Sequence, residues 1–272
     1  MTTTTTYFGE HFVGSRGSGF RDIIRSILIR SRLRSDKIDD LLNAEGMAIY
    51  DEVFTHPSVN EDKNYEFYET IGDSTANNCI VWYLTRRFPQ IFCPKGVSTL
   101  TLLKNKYVSK STFFPIAQSL GLWNFISATE SVRQTKMKPM LEDVFEAFIG
   151  ATQLIIDDRF GIGVGHFACY NIIESVFEQI PISLDYKNLV DSKTRLKEIT
   201  DKFRELNIKT QSNKRQDNLM NVKIFLNNIV IGEATAPLQA AATQEASRKA
   251  LEELEKRGIT KKEPDFYTTF CS

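Results

Sequence analysis

Four carboxylates stand at spacings that a helix can turn into chemistry. In Tyr65–Ser74 (YEFYETIGDS), Glu69 and Asp73 are four residues apart, and in Met140–Gly150 (MLEDVFEAFIG), Asp143 and Glu146 are three apart. Either spacing stacks two acids on one helical face. Two such helices facing each other would gather four like charges, which in a structural role are normally matched by lysine or arginine. The flanking residues here are Tyr68, Thr70, Ile71, Val144, Phe145, Ala147 and Phe148, none of them cationic. A hard divalent cation, Mg²⁺ or Mn²⁺, suits oxygen ligands of this kind. A metal so held can ionise a water for attack on a phosphodiester and stabilise the departing oxygen. Acid pairs on helices are also common as plain solvated surface, so spacing alone leaves both readings open.

The elements that must position these acids follow from hydrophobic periodicity. Residues 36–180 read as helix after helix, in DKIDDLLN, in the run from Tyr68 to Phe88, in KSTFFPIAQSL, in MLEDVFEAFIGATQLII and in CYNIIESVFEQI, which makes one all-α domain. Ahead of it, Phe20–Leu33 places Phe20, Ile23, Ile24, Ile27 and Leu28 on one face and arginines on the others, an amphipathic helix whose basic outer side is either plain solvated surface or an auxiliary RNA contact. Gly72 lies between Glu69 and the following helix body, where the lack of a side chain would let a second helix come close. Residues 1–18 are Thr-rich and then Gly/Ser-rich, with little to bury. The segment Pro181–Val190 is short and turn-rich, and after it the pattern changes to helix, strands and helix. Asn221–Leu226 and Ile229–Glu233 read as a hairpin turning at Asn227-Asn228, followed by an Ala/Glu/Lys helix that Gly258 ends. The expected divisions are a flexible arm at 1–19, a helical domain at 20–182, a linker at 183–190, a small α-β-β-α module at 191–260 and a tail at 261–272.

Bulk properties narrow the class. The 272 residues are 42% hydrophobic, enough for one large or two ordinary domains, and the formal net charge is +0, so any attraction to a polyanion must come from local clustering. Cys79, Cys93, Cys169 and Cys271 form no CxxC pair and no zinc spacing, which points to unpaired thiols in a reducing compartment. The start MTTTTTYFGEHF lacks the basic and apolar parts of a signal peptide, and nowhere do about eighteen apolar residues run together. A soluble, cytoplasmic protein with no membrane partner is the expectation.

Residues 54–89, FTHPSVNEDKNYEFYETIGDSTANNCIVWYLTRRFP, resemble the signature segment of the ribonuclease III family, a THPS-type box followed by an NERLEFLGD-type box. Asp143-Val-Phe-Glu146-Ala-Phe-Ile-Gly150-Ala151 resembles that family's DxFEAxxGA signature, and VSTLTLLKNKYVSKSTFFPIAQSLGL resembles the segment between them. The likeness covers about residues 45–180 in family order. It implies an all-α ribonuclease III catalytic domain in which Glu69, Asp73, Asp143 and Glu146 are the catalytic and metal-binding carboxylates, with Mg²⁺ as cofactor and Mn²⁺ able to substitute. Glu66 matches a further family acid, and His56 sits in the THPS box, where a structural hydrogen-bonding role explains it better than general-base catalysis.

The small α+β module with DSKTRLKEI at its start is similar to a double-stranded RNA-binding domain, whose first helix meets the RNA minor groove. Thr194 and Glu198 match the contact positions, with Lys193 and Lys197 beside them. Asp191–Gly258 holds 13 Lys/Arg against 10 acids, so the module is only mildly basic. The usual lysine-rich start of the last helix is here Gln239-Ala240-Ala241-Ala242-Thr243, and no Gly-Pro-x-His loop lies between Ile208 and Asn221, which implies a kept fold with weakened phosphate contact.

The resemblance as a whole implies an endoribonuclease acting on double-stranded RNA as a homodimer, in the host cytoplasm if viral, each subunit cutting one strand to leave a short 3′ overhang. The compact layout is similar to ribonucleases III of large DNA viruses, for which RNA sequestration is also compatible. Thr70 replaces the aromatic that helps knit the family's dimer; Trp82 or Phe88 are candidates to compensate. The rival reading is a catalytically silent relative that binds RNA or serves a ribosome structurally. Such relatives tend to lose carboxylates, and this chain keeps four.

Overall fold

A computed structural model describes residues 6–8 and 11–268 of the chain. It divides into two compact units, Met1–Pro181 and Ile182–Ser272.

The first unit is helical: α1 (Ser18–Leu28), α2 (Ser35–Leu41), α3 (Ala44–Val53), α4 (Glu66–Arg87), α5 (Val97–Tyr107), α6 (Lys110–Ser119), α7 (Glu130–Thr135), α8 (Met137–Phe160) and α9 (Val164–Phe177). Its centre is α8, which is buried almost continuously from Met140 to Ile156. A helix apolar all round can only be satisfied by neighbours on every side, and α3, α4, α6 and α9 supply them. The α1 stripe buries Phe20, Ile24, Ile27 and Leu28 as its period requires, while Arg25 and Arg32 pair at the surface with Asp39 and Glu174.

The expected loose arm is instead partly structured. Strands β1 (Thr6–Phe8) and β2 (His11–Val13) pair antiparallel, and β2 adds to β3 (Ala128–Thr129). Behind them the Gly14 amide donates to Ser127 Oγ at 2.9 Å, and Arg16 donates to Asp51 and to the carbonyls of Phe54 and Phe125. One guanidinium therefore satisfies main-chain oxygens 38 and 109 residues away, a long-range link that local composition cannot signal. Cys79 and Cys169 are buried free thiols. Cys93 is disulfide-bonded, against the expectation of unpaired cysteines; Cys271 lies outside the described residues.

The second unit carries α10 (Tyr186–Leu189), α11 (Ser192–Lys202), β4 (Ile208–Lys214), β5 (Met220–Leu226), β6 (Ile229–Ala236) and α12 (Gln239–Lys256). The sheet is antiparallel in the order β4-β5-β6, so the module is α-β-β-β-α and not α-β-β-α. The missed strand β4, IKTQSNK, is an edge strand exposed at nearly every position, so it carries no alternation to read. On β5, Val222, Ile224 and Leu226 alternate inward and meet Leu196, Ala246, Ala250 and Leu254 from the two longer helices. The hairpin turns where expected, with Asn227 at φ 49° and Asn228 at φ 68°, the two positive φ values a tight two-residue turn needs.

The segments expected as linker and fraying tail also differ. Tyr186 and Leu189 of α10 are buried, and Phe266 is buried against the Tyr186 ring, with centroids 5.9 Å apart. The Leu184 amide donates to Tyr267 Oη at 3.1 Å. No helix among the described residues is long and apolar enough to cross a membrane.

Candidate active site

Helices α4 and α8 cross at two glycines. A Cβ on Gly72 would lie 1.7 Å from the Glu146 carbonyl oxygen, and one on Gly150 would lie 2.1 Å from that of Tyr68. The backbones touch there, and no larger residue fits at either position without prising the helices apart. Gly72 thus plays the part its place between the acids implied.

Glu69 lies one turn before Gly72, and Glu146 one turn before Gly150, so the crossing carries them to the same spot. Asp143 stands a further turn back on α8. One carboxylate oxygen each from Glu69, Asp143 and Glu146 lies within 4.8 Å of the others. Glu146 is only 2% exposed, and the other two are half-buried. Asp73 stands outside this trio: it is exposed, and its Oδ1 accepts from Asn77 Nδ2 at 3.2 Å. Asp73 lies about 6 Å further along the α4 axis than Glu69, on the far side of Gly72.

Three carboxylates this close, partly withdrawn from water, repel one another strongly. The set is oxygen only, without thiol or imidazole, the donor chemistry of a hard divalent ion.

His56 is positioned, not poised. Its Nδ1 accepts from the Ser58 amide at 2.9 Å, which places the ring proton on Nε2, and its own amide donates to Ser127 O at 2.9 Å. Burial, and then the charge of Lys136, lower its pKa, so the ring stays neutral. Glu66 is exposed in the first turn of α4. The residue that sequence reading missed is Tyr65, whose hydroxyl points at Asp143 Oδ2 from 3.5 Å. Its signal was slight: an aromatic directly before the acids, with its partner 78 residues away.

Thr70 is exposed and spends its hydroxyl on the Glu66 carbonyl at 3.1 Å. Of the two candidates to compensate for it, Phe88 is half-buried, whereas Trp82 is exposed. Trp82 borders an apolar groove of about 400 Å³ with Val81, Ile91, Phe92, Val97 and Leu100.

In the second unit, Lys193, Thr194 and Lys197 are exposed on α11. Thr194 belongs to the helix cap, its amide and hydroxyl both donating to Asp191. Glu198 is engaged within the unit: it accepts from Tyr186 Oη and from Lys261 Nζ, the latter at 2.8 Å. Burial would raise its pKa, but the hydrogen bonds from Lys261 and Tyr186 outweigh that and lower it. At the start of α12, Ala240 and Ala241 are exposed where a basic pair was looked for.

A helical domain with a carboxylate trio at a glycine crossing, followed by an α-β-β-β-α module, defines a nuclease-like class. The ribonuclease III domain model matches residues 66–155, which include all four acids. A "Putative ribonuclease 3" of Invertebrate iridescent virus 6 is 35% identical over 95% of each chain. A protein of the same description from Frog virus 3 (isolate Goorha) is 40% identical over 80% of this chain and 58% of its own length. Ribonuclease 3 of Ligilactobacillus salivarius is 28% identical over 81% of this chain and 96% of its own. The chain belongs to the ribonuclease III family.

Proposed function

We propose that the protein is an endoribonuclease hydrolysing phosphodiester bonds in double-stranded RNA, with Glu69, Asp143 and Glu146 as ligands of Mg²⁺, for which Mn²⁺ can substitute, and Asp73 as the fourth catalytic carboxylate. The observation that carries this reading is the meeting of three carboxylates where α4 and α8 touch. When bound, a divalent cation there supplies a water of lowered pKa and neutralises charge at the phosphate. The chain's own part is to hold three oxygen donors on two helices that cannot slide, since their backbones are in contact. Asp73 stays open to solvent, steadied by Asn77.

Family membership supports the rest of the reading: two copies work side by side, each cuts one strand, and short 3′ overhangs remain. Lys193, Thr194 and Lys197 give the second unit its contacts to the duplex, joined by Glu198 where it is released from Lys261. Double-stranded RNA is an intracellular polymer, and we place the activity in the cytoplasm, in RNA processing.

The test is cleavage of a duplex of about thirty base pairs, long enough for one RNA-binding module beside a cut site, with and without Mg²⁺, by the protein and by Glu146→Gln. We expect metal-dependent products from the protein and none from the variant, with duplex binding kept in both. Wild-type turnover by Glu146→Gln would remove Glu146 from the site. Duplex binding without cleavage by the unaltered chain would favour the catalytically silent reading.

A further inference from the structure

We propose that Tyr65 is a positioning residue of the metal centre: its buried hydroxyl orients Asp143, so that the trio is assembled before a cation arrives. The proposal rests on reading Glu69, Asp143 and Glu146 as that centre.

Tyr65 is the residue from which α4 starts, and its main chain is fixed on both sides. Its amide donates to Thr55 O at 3.1 Å, and its carbonyl accepts from the Glu69 amide at 2.8 Å. The same residue therefore seats the turn that presents Glu69. Its side chain is 4% exposed, and its hydroxyl is directed at Asp143 Oδ2. Burying a phenolic O–H without a partner costs about 1–3 kcal/mol, so its direction toward a carboxylate is an arrangement the packing must hold.

The packing that holds it comes from the THPS segment. The His56 ring meets the Tyr65 ring edge to face, with centroids 5.6 Å apart and planes at 81°. His56 is itself fixed by the Ser58 amide, and Ser58 Oγ accepts from the Thr129 amide at 3.1 Å. A chain of contacts thus runs from that loop through two rings to one carboxylate of the trio.

A phenol suits this place better than a cationic side chain would. It is a neutral donor, so it occupies one lone-pair direction of Asp143 and adds no charge to compete with a metal. At 3.5 Å the hydrogen bond is long, and polar contacts of this kind commonly tighten when the site is filled.

The experiment is Mn²⁺ titration of the full chain by calorimetry without RNA, on the unaltered protein, Tyr65→Phe and Glu146→Gln, alongside thermal melting and the Mg²⁺ dependence of duplex cleavage. Tyr65→Phe keeps the ring and its contact with His56, so it should melt close to the unaltered protein. Its Mn²⁺ affinity should fall about tenfold, the lower end of what losing an outer partner of a metal ligand costs. Cleavage should recover as Mg²⁺ is raised, with KM for the duplex unchanged. Unchanged Mn²⁺ affinity in Tyr65→Phe, with affinity lost in Glu146→Gln, would overturn the role of Tyr65 and leave the metal centre standing. A lower melting temperature with unchanged affinity would also overturn it, leaving Tyr65 a packing residue. Unchanged affinity in both variants would overturn the metal centre and the proposal together.

Discussion

The crossing of α4 with α8 and the outer face of α11 both present polar residues at helical spacing, but they are held by different means. At the crossing the acids are carried by helices in main-chain contact at Gly72 and Gly150, and Glu146 is buried while Glu69 and Asp143 are half-buried. On α11, Lys193, Thr194 and Lys197 lie in solvent, while Glu198 is held by side chains of its own unit. A site built by backbone contact tolerates almost no change, whereas a face built from solvated side chains can be altered one residue at a time.

The sharpest way to break this contrast is Gly72→Ala. The added methyl would meet a backbone carbonyl at 1.7 Å, so the helices must separate. Overpacking of a rigid core costs about 1–3 kcal/mol and occasionally more, and here the shift would also part the trio. We expect a lower melting temperature and loss of cleavage even at saturating Mg²⁺. An alanine variant with unaltered melting and turnover would show that the helices can relax at no cost.

That contact explains which parts of the molecule were legible in the sequence. Helical spacing pointed to Glu69, Asp73, Asp143 and Glu146 because both their helices are regular, although Asp73 does not join the other three, and the small residue at Gly72 announced the close approach. The hairpin at Asn227-Asn228 was legible because positive φ at two adjacent residues demands such side chains. Strand β4 was not, since a polar edge strand has no buried face. Tyr65, the strands of the arm and the docking of Phe266 were missed for another reason: each depends on a partner far off in the chain, and no local period encodes that.

Self-association probes the exposed side of α4. The resemblance implies a dimer aromatic where Thr70 stands, and loss of a buried ring forfeits roughly 3–5 kcal/mol per site when nothing refills the space. The protein should dimerise more weakly than its relatives, and activity per chain should fall on dilution. Sedimentation and cleavage over one concentration series decide it. A tight dimer with flat specific activity into the nanomolar range would show that the Trp82 groove has taken over the contact, and Trp82→Ala should then dissociate it.

A chain ending at Pro181 separates the two means of construction. The first unit has its own core and all four acids, so it should cleave at low salt. It should lose activity faster than the full chain as salt rises, because the phosphate contacts proposed for the second unit would be gone. Complete inactivity of a folded truncation at every salt concentration would mean that the second unit contributes to the chemistry and not only to affinity.

The smallest effect belongs to Lys261→Ala, which removes one of the donors held by Glu198. The two side chains are about a third exposed, at 38% and 32%, so the pair stabilises the unit by only about 0.2–1 kcal/mol after solvent screening. Glu198 has a pKa lowered from 4.5 in the folded chain. A carboxylate of that kind contributes stability above its unfolded pKa, and the contribution fades as pH falls through the lowered folded value. The difference in stability between the two proteins should therefore be present at pH 7 and disappear in acid, below the ordinary glutamate range. A release of Glu198 toward the duplex should at the same time strengthen RNA binding modestly at pH 7. A stability difference that persists in acid would assign Lys261 a packing role through its stem, and weaker RNA binding would show that Lys261 itself contacts phosphate.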